Sequence, residues 1–197
     1  MLLLISSLLL MSCGADKYMK KGEKFLALGE YYDAADQFKQ AYTRTPAKER
    51  DTRGKRALKM AQCYQRINAT PKAIAAYRNA IRYNQASKED QLAYARQLLK
   101  NGDYRQAEKV FLMLKDSMPG NQLVANGLKS AQMSPEWKKQ GSRYIVKRMD
   151  VFNSRRHDYS PVLFGDDYDQ LYFTSTRNEA LGDELSGITG TKAGDIF

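Results

Sequence analysis

The chain has 197 residues, of which 43% are hydrophobic and 27% charged, a composition that suits a globular protein and excludes wholesale disorder. Its net charge is +10, and the basic excess lies before residue 149, because residues 149–197 hold nine acidic and four basic side chains. A basic front favours anionic partners such as lipid headgroups, nucleic acid or acidic proteins, and solvated Lys and Arg on outward helix faces are the alternative.

The amino terminus is apolar. Residues 1–12 are too few to span a bilayer but have the length of a signal-peptide core. Leu10, Met11 and Ser12 lead to Cys13, and this order resembles a bacterial lipoprotein box, although no Lys or Arg precedes the apolar core. The resemblance implies that residues 1–12 are a lipoprotein signal peptide and that Cys13 is lipidated, which would make the membrane a partner through acyl chains.

Three alignable units follow, at about 15–48, 54–87 and 88–121. In each unit an Ala precedes an aromatic residue by four positions and a small or apolar residue by seven: Ala34, Phe38 and Ala41; Ala73, Tyr77 and Ala80; Ala107, Phe111 and Leu114. Small residues let two helices approach closely, and the aromatic rings fill the space beside them. Each unit is therefore predicted to be a helical hairpin, which buries its apolar face only by stacking on its neighbours.

The order Gly-x-Tyr, Ala, aromatic, Ala and Pro resembles the tetratricopeptide repeat (TPR) of 34 residues. Ala73 and Ala107 are 34 positions apart, whereas Ala34 and Ala73 are 39 apart, so five extra residues are expected near 48–53, in the connection after the first unit. The resemblance predicts a mainly α solenoid over residues 13–133, made of three repeats and an amphipathic capping helix.

Such solenoids present a concave surface lined by the first helix of each hairpin. On that geometry the predicted partner-binding groove holds Gln62, Arg66, Arg96 and Lys100. A basic groove suits an acidic peptide or a carboxylate terminus, and a solvated helix face is the alternative. The carboxylate-clamp pattern of the family is absent, because its Lys position is occupied by Met19, Leu58 and Leu92.

The pattern changes after residue 133. Residues 134–148 are predicted to be a linker, and residues 149–197 are predicted to be strands and turns. Within these segments, 144–146 and 149–152 indicate short strands, and 171–177 is rich in the aromatic and β-branched residues typical of a strand.

The order of motifs in residues 149–197 resembles a TolB-type β-propeller repeat. It is carried by Ser160-Pro161, Asp166-Asp167, the run 171–177 and the final Asp195-Ile196-Phe197. A propeller needs roughly four to eight blades, and this segment supplies about one. The segment is therefore expected to be the first blade of an incomplete propeller, either in a fragment of a longer protein or paired with another chain.

Together the lipoprotein box, the repeats and the blade resemble the front of a Bacteroidetes family of envelope lipoproteins with an OmpA-like domain. The resemblance implies a non-enzymatic scaffold, lipid-anchored in the outer membrane and facing the periplasm, with the cell surface as an alternative. It would link a type IX secretion or gliding complex to the cell wall. Its expected partners are proteins in the groove, the membrane at Cys13, and peptidoglycan only through a domain missing from this chain.

No catalytic constellation is present in the sequence. His157 is the single histidine, which leaves little for a metal site or a catalytic triad, and no phosphate-binding Gly-rich loop occurs. Neither a cofactor, a metal nor a catalytic residue is predicted. Two alternatives stay open: the amino-terminal part of a propeller-bearing serine peptidase, and a basic solenoid that binds nucleic acid, which is not among the partners expected of a lipid-anchored chain.

Overall fold

A computed structural model describes the backbone of residues 2–197 and the side chains of residues 14–197. The chain forms two compact units, Met1–Gly141 and Ser142–Phe197. The predicted signal peptide and the predicted lipidation site at Cys13 lie outside the residues whose side chains are described.

The first unit is helical. In its described residues the helices are α1 (Leu2–Ala27), α2 (Tyr31–Arg44), α3 (Arg50–Arg66), α4 (Thr70–Arg82), α5 (Lys88–Asn101), α6 (Tyr104–Ser117) and α7 (Gln122–Gln140). Consecutive helices pack against each other and form the hairpins α1–α2, α3–α4 and α5–α6, followed by α7. Across the described residues, no helix combines the length and the apolar character that a membrane crossing requires.

All three hairpins close with the same backbone pattern. A residue with left-handed φ follows the first helix: Gly29 (77°), Asn68 (58°) and Gly102 (82°). The next N–H then donates to the carbonyl five residues earlier, at 2.9 Å in each case: Glu30 to Phe25, Ala69 to Tyr64 and Asp103 to Leu98. This closure satisfies carbonyls that a helix end leaves without a partner, and Gly and Asn tolerate the positive φ that it needs.

The residues that align between the repeats form the core. The repeated alanines, their aromatic partners and the third residue of each set are all between 0% and 1% exposed. Gly22 shows how closely the helices approach, since a Cβ there would lie 2.6 Å from Cε1 of Phe38. Stacked helical hairpins are therefore observed where the sequence predicted them.

The extra residues of the second repeat lengthen a helix. The sequence placed them in a connection near 48–53, but in the structure Glu49 is the N-cap of α3 and Arg50 its first residue. The connections after α2 and α4 each span five residues, 45–49 and 83–87, so the insertion has become an additional first turn of α3.

The capping helix also extends further than expected. Asn121 caps α7 by accepting hydrogen bonds from the N–H groups of Leu123 (3.0 Å) and Val124 (3.2 Å). The helix continues through Pro135 to Gln140, into the range 134–148 that the sequence analysis assigned to a linker. Pro135 has no N–H, so the helix continues past it without the hydrogen bond that would join residue 135 to the carbonyl of Ala131.

The second unit holds an antiparallel sheet. Within the described residues its strand order is β1 (Asp158–Phe164), β2 (Gln170–Ser175) and β3 (Asp195–Ile196). Residues 144–146 and 149–152 are not strands, contrary to the prediction, and no neighbouring strand pairs with their backbone groups in the described part of the chain. Because a propeller blade has four strands, the predicted blade is not confirmed.

A partly buried ion pair anchors this sheet. The carboxylate of Asp158 accepts hydrogen bonds from Ser175 Oγ (2.6 Å), the N–H of Ser154 (2.6 Å) and Arg177 Nη2 (3.2 Å). These bonds, above all the one from Ser175, hold the pKa of Asp158 well below its ordinary value of 3.8. Arg177 also stacks on Phe173, 4.8 Å from the ring centroid, and so joins the polar pair to the aromatic side chains.

Candidate functional site

The first helices of the hairpins are joined by polar contacts along one surface of the helical unit. Between α1 and α3, Lys59 Nζ lies 3.3 Å from Glu23 Oε1. Between α3 and α5, Gln62 Nε2 donates to Asp90 Oδ1 at 3.1 Å. These contacts align α1, α3 and α5 as the walls of a common surface.

A cleft of about 410 Å³ opens on this surface. It is bounded by the end of α1, the last two turns of α3 and the first turns of α5. Its apolar wall includes Leu26, Tyr31 and Ala93. Its polar groups are Gln62, Gln65, Arg66, Glu89 and Asp90. Polar groups form the larger part of this lining, so the cleft suits a ligand that itself carries polar or charged groups.

The structure brings together two of the four predicted groove residues. Gln62 and Arg66 line the cleft, and the Arg66 guanidinium lies 5.8 Å from the ring centroid of Tyr31. Arg96 and Lys100 are exposed on α5 and do not line the cleft. Lys100 Nζ instead donates to Oδ1 of Asn68, at 2.6 Å, in the turn between α3 and α4.

Two other cations of α3, outside the lining of the cleft, are paired with carboxylates of α1. Arg56 is only 6% exposed and donates to Asp16, to Thr45 Oγ1 and to the carbonyl of Ala41. Lys59 is paired with a carboxylate of α1, as described above. Among the residues that line the cleft, Arg66 is the cation, and it faces two acidic residues of α5. The cleft is therefore bipolar, with positive charge on the α3 side and negative charge on the α5 side.

The floor of the cleft is formed by buried side chains that stay protonated at neutral pH. Tyr77 is 1% exposed and donates from its hydroxyl to Gln65 Oε1 at 2.6 Å. Burial raises the pKa of Tyr77, and burial raises the pKa of Cys63 to about 11, so both side chains stay protonated at neutral pH. A protonated thiol is a poor nucleophile, so Cys63 packs rather than reacts. In the part of the chain that the structure describes, no cluster of His, Cys, Asp and Glu could hold a metal ion.

Sequence reasoning missed the acidic side of the cleft. Its signal was present, because Ser87 and Asp90 have the spacing of a capping box. In the structure the N–H of Asp90 donates to Ser87 Oγ at 3.1 Å, and the N–H of Ser87 donates to Asp90 Oδ2 at 3.0 Å. This motif fixes the first turn of α5, and it places Asp90 beside Gln62.

The helical unit has the fold of TPR domains. No protein-family model matches the chain, and no curated protein matches it. It is similar to the first TPR domain of Spaghetti (RPAP3), solved with the HSP90 peptide SRMEEVD, at 17% identity over 64% of this chain and 96% of that chain, with a TM-score of 0.51. It is also similar to the C-terminal TPR-containing domain of an FK506-binding protein from Plasmodium falciparum, at 15% identity over 66% and 94%, with a TM-score of 0.54.

The outer-membrane location expected from the sequence is wrong on these comparisons. The similar structures are TPR domains, one solved with an HSP90 peptide and one from an FK506-binding protein, and neither is described as a lipoprotein or an envelope protein. The expected link to a secretion or gliding complex and to the cell wall has no support from them either. Lipidation of Cys13 stays a prediction from the sequence.

Proposed function

We propose that this chain is a non-enzymatic scaffold that binds an extended segment of a partner protein in the cleft between α1, α3 and α5. The observation that carries the proposal is the cleft itself, about 410 Å³ in volume and lined by apolar side chains and by charges of both signs. Protein recognition also agrees with the TPR fold, because stacked hairpins present extended concave binding surfaces.

The charges that line the cleft suggest which chemical groups of a partner would contact each wall. Arg66 is held against Tyr31, so its guanidinium is positioned before a ligand arrives. An acidic group of the partner would pair with Arg66, and a basic or amide group would face Glu89. Arg96 and Lys100 would contact a ligand that extends beyond the cleft along α5.

A peptide selection tests this proposal. The full chain is immobilised, peptides are selected from a random display library, and the affinity of an enriched peptide is measured by fluorescence anisotropy. The double variant Arg66→Ala, Arg96→Ala should weaken binding about tenfold or more, which corresponds to about 1.4 kcal/mol. The matched control removes two exposed cations of α6, with Arg105→Ala and Lys109→Ala, and should change the affinity less than about twofold.

Two results would contradict the proposal that a partner binds in the cleft. Failure to enrich any peptide over a surface without protein would remove the binding function. Equal affinities for the Arg66 and Arg96 double variant and the wild-type chain would move the binding site elsewhere. Circular dichroism of both double variants checks that the helices remain folded.

For residues 149–197 we propose the beginning of a propeller-like β domain. Support comes from the meander β1-β2-β3, in which Asp195 of β3 pairs with Ser175 of β2. It also comes from β1, where Val162 is 58% and Phe164 62% exposed, as expected of strands that other parts of a domain cover. An experimental structure of a longer chain in which these strands join no four-stranded blade would refute the proposal.

A further inference from the structure

Two guanidinium groups lie against the ring of Tyr83 near the start of α3, and a third arginine lies in the same turn of that helix. Arg50 lies 5.7 Å from the ring centroid of Tyr83, and Arg82 lies 4.9 Å from it. Arg82 Nη2 also donates to the Tyr83 hydroxyl at 3.2 Å. The Arg53 guanidinium lies 4.3 Å from the ring centroid of Tyr42, and Arg53 is the largest cause of the lowered pKa of Tyr83. We call Arg50, Arg53, Arg82 and Tyr83 the arginine cluster.

The inserted first turn of α3 builds this cluster. Arg50 and Arg53 belong to the extra residues, which the repeat packing does not require. Gly54 then allows α3 to approach the segment that follows α4, because a Cβ at position 54 would lie only 2.8 Å from Cβ of Tyr83. The cluster therefore arises where the chain departs from its repeat.

The cluster is not neutralised by the protein. Within the described residues, none of the three arginines has a carboxylate oxygen within 4.0 Å, whereas Arg56 and Lys59 of the same helix are both paired. Glu49 and Asp51 are the neighbouring acids in the chain. Asp51 accepts a long hydrogen bond of 3.5 Å from Gln85.

Several hydrogen-bond donors of the cluster remain available to a ligand. Arg50 and Arg82 are exposed. Arg53 uses Nη1 to donate to the carbonyl of Thr45 at 2.6 Å, so this arginine is held in place by the end of α2. The N-cap of α3, Glu49, makes no side-chain capping bond, so the positive end of that helix dipole adds to the charge of the cluster.

We propose that the arginine cluster binds the phosphate group of a phosphate-bearing ligand. A guanidinium fork matches phosphate oxygens in geometry, and a phosphate dianion offers enough charge and acceptor atoms to engage three arginines and a hydroxyl donor at once. A single carboxylate would leave most of the positive charge uncompensated. The phosphate can belong to a soluble compound or to a lipid headgroup, and the recognition chemistry is the same.

Binding of two probes to the full chain tests the proposal. Pyrophosphate, measured by isothermal titration calorimetry, represents a soluble phosphate. Phosphatidylcholine vesicles with and without phosphatidic acid, measured by co-sedimentation, represent a headgroup. The wild-type chain should bind at least one probe, and Arg50→Gln with Arg82→Gln should weaken that binding about tenfold or more. Arg53 is left unchanged because it also caps α2.

A control variant removes the same charge from another helix, and the two probes distinguish the source of the phosphate. Arg105→Gln with Lys109→Gln removes the same charge from α6 and should leave binding within about twofold of wild type. Binding of pyrophosphate assigns a soluble ligand, and binding of phosphatidic acid vesicles alone assigns a headgroup. Absence of binding to both probes, or an equal loss in the control variant, overturns the proposal.

Discussion

Truncation of Phe111 to Ala tests whether the aromatic residue of the repeat holds the last hairpin against α7. The ring has no exposed surface. It lies directly against Gly127 of α7, where even an added methyl group would overlap the ring. Removing it leaves a cavity between α6 and α7 that the close-packed helices cannot fill, so the free energy of unfolding should fall by about 3–5 kcal/mol.

This free energy converts into a melting temperature. The helical unit has roughly 130 residues, and unfolding entropies of about 2.1 cal/mol/K per residue give about 0.27 kcal/mol/K for the unit. A loss of about 3–5 kcal/mol should therefore lower Tm by about 11–18 °C in a thermal scan followed by circular dichroism at 222 nm. That wavelength reports the helices of the first unit.

The neighbouring residue provides the control for this measurement. Leu112 follows Phe111 on α6 but is 44% exposed, so Leu112→Ala should cost no more than about 1 kcal/mol. If the Phe111→Ala variant melted within about 4 °C of wild type, or no lower than the Leu112 variant, the reasoning about the core would be refuted.

Three further predictions concern backbone, charge and thiol chemistry. Gly102→Ala should destabilise the helical unit by about 1–2 kcal/mol in urea unfolding, because φ is 82° and nothing lies within 4 Å of an added Cβ, so the effect comes from the backbone alone; an unchanged unfolding midpoint would argue against the hairpin closure. The pKa of Asp158 is lower in the folded chain than its ordinary 3.8, so its contribution to sheet stability is present above about pH 4 and is lost as pH falls further. The methyl NMR signals of Val162 should show this acid transition. Asp158→Asn should weaken the sheet at neutral pH and remove that part of the pH dependence. A wild-type sheet that is equally stable at pH 6 and pH 2 would contradict the prediction. In a Cys13→Ser variant, Cys63 of the folded chain should react with iodoacetamide at pH 8 at least about 100-fold more slowly than Cys63 of the chain unfolded in urea. The reason is that the pKa of Cys63 is about 11 instead of 9.0 in the folded chain and that its side chain is buried. Equal rates would contradict this prediction.

The helical fold could be predicted because its signals are local. The spacing of Ala107, Phe111 and Leu114 places all three on one side of a helix, and all three are fully buried. Gly102 indicated the end of a first helix because few residues adopt its backbone conformation without strain. Such signals depend on neighbours a few positions away, so a single sequence contains them.

The arrangement of charged side chains on the surface could be predicted less completely than the helical fold. The sequence placed Arg66, Arg96 and Lys100 in one groove, whereas of these three only Arg66 lines the cleft, together with Glu89 and Asp90 of α5. Which side chains meet across two helices depends on the rotation of each helix about its axis, and periodicity does not specify that rotation to within one residue. The prediction of strands at 144–146 and 149–152 was wrong for a related reason, because a strand forms only beside a partner that pairs with its backbone groups.

The additional turn of α3 has a consequence for how the helical unit tolerates change. Deleting residues 49–53 would restore the 34-residue distance between Ala34 and Ala73 without removing any of the repeated core residues. The stack of hairpins and the cluster around Tyr83 therefore depend on different residues of the chain. Substitutions in this short stretch should change the charge around Tyr83 and leave the stacked hairpins intact.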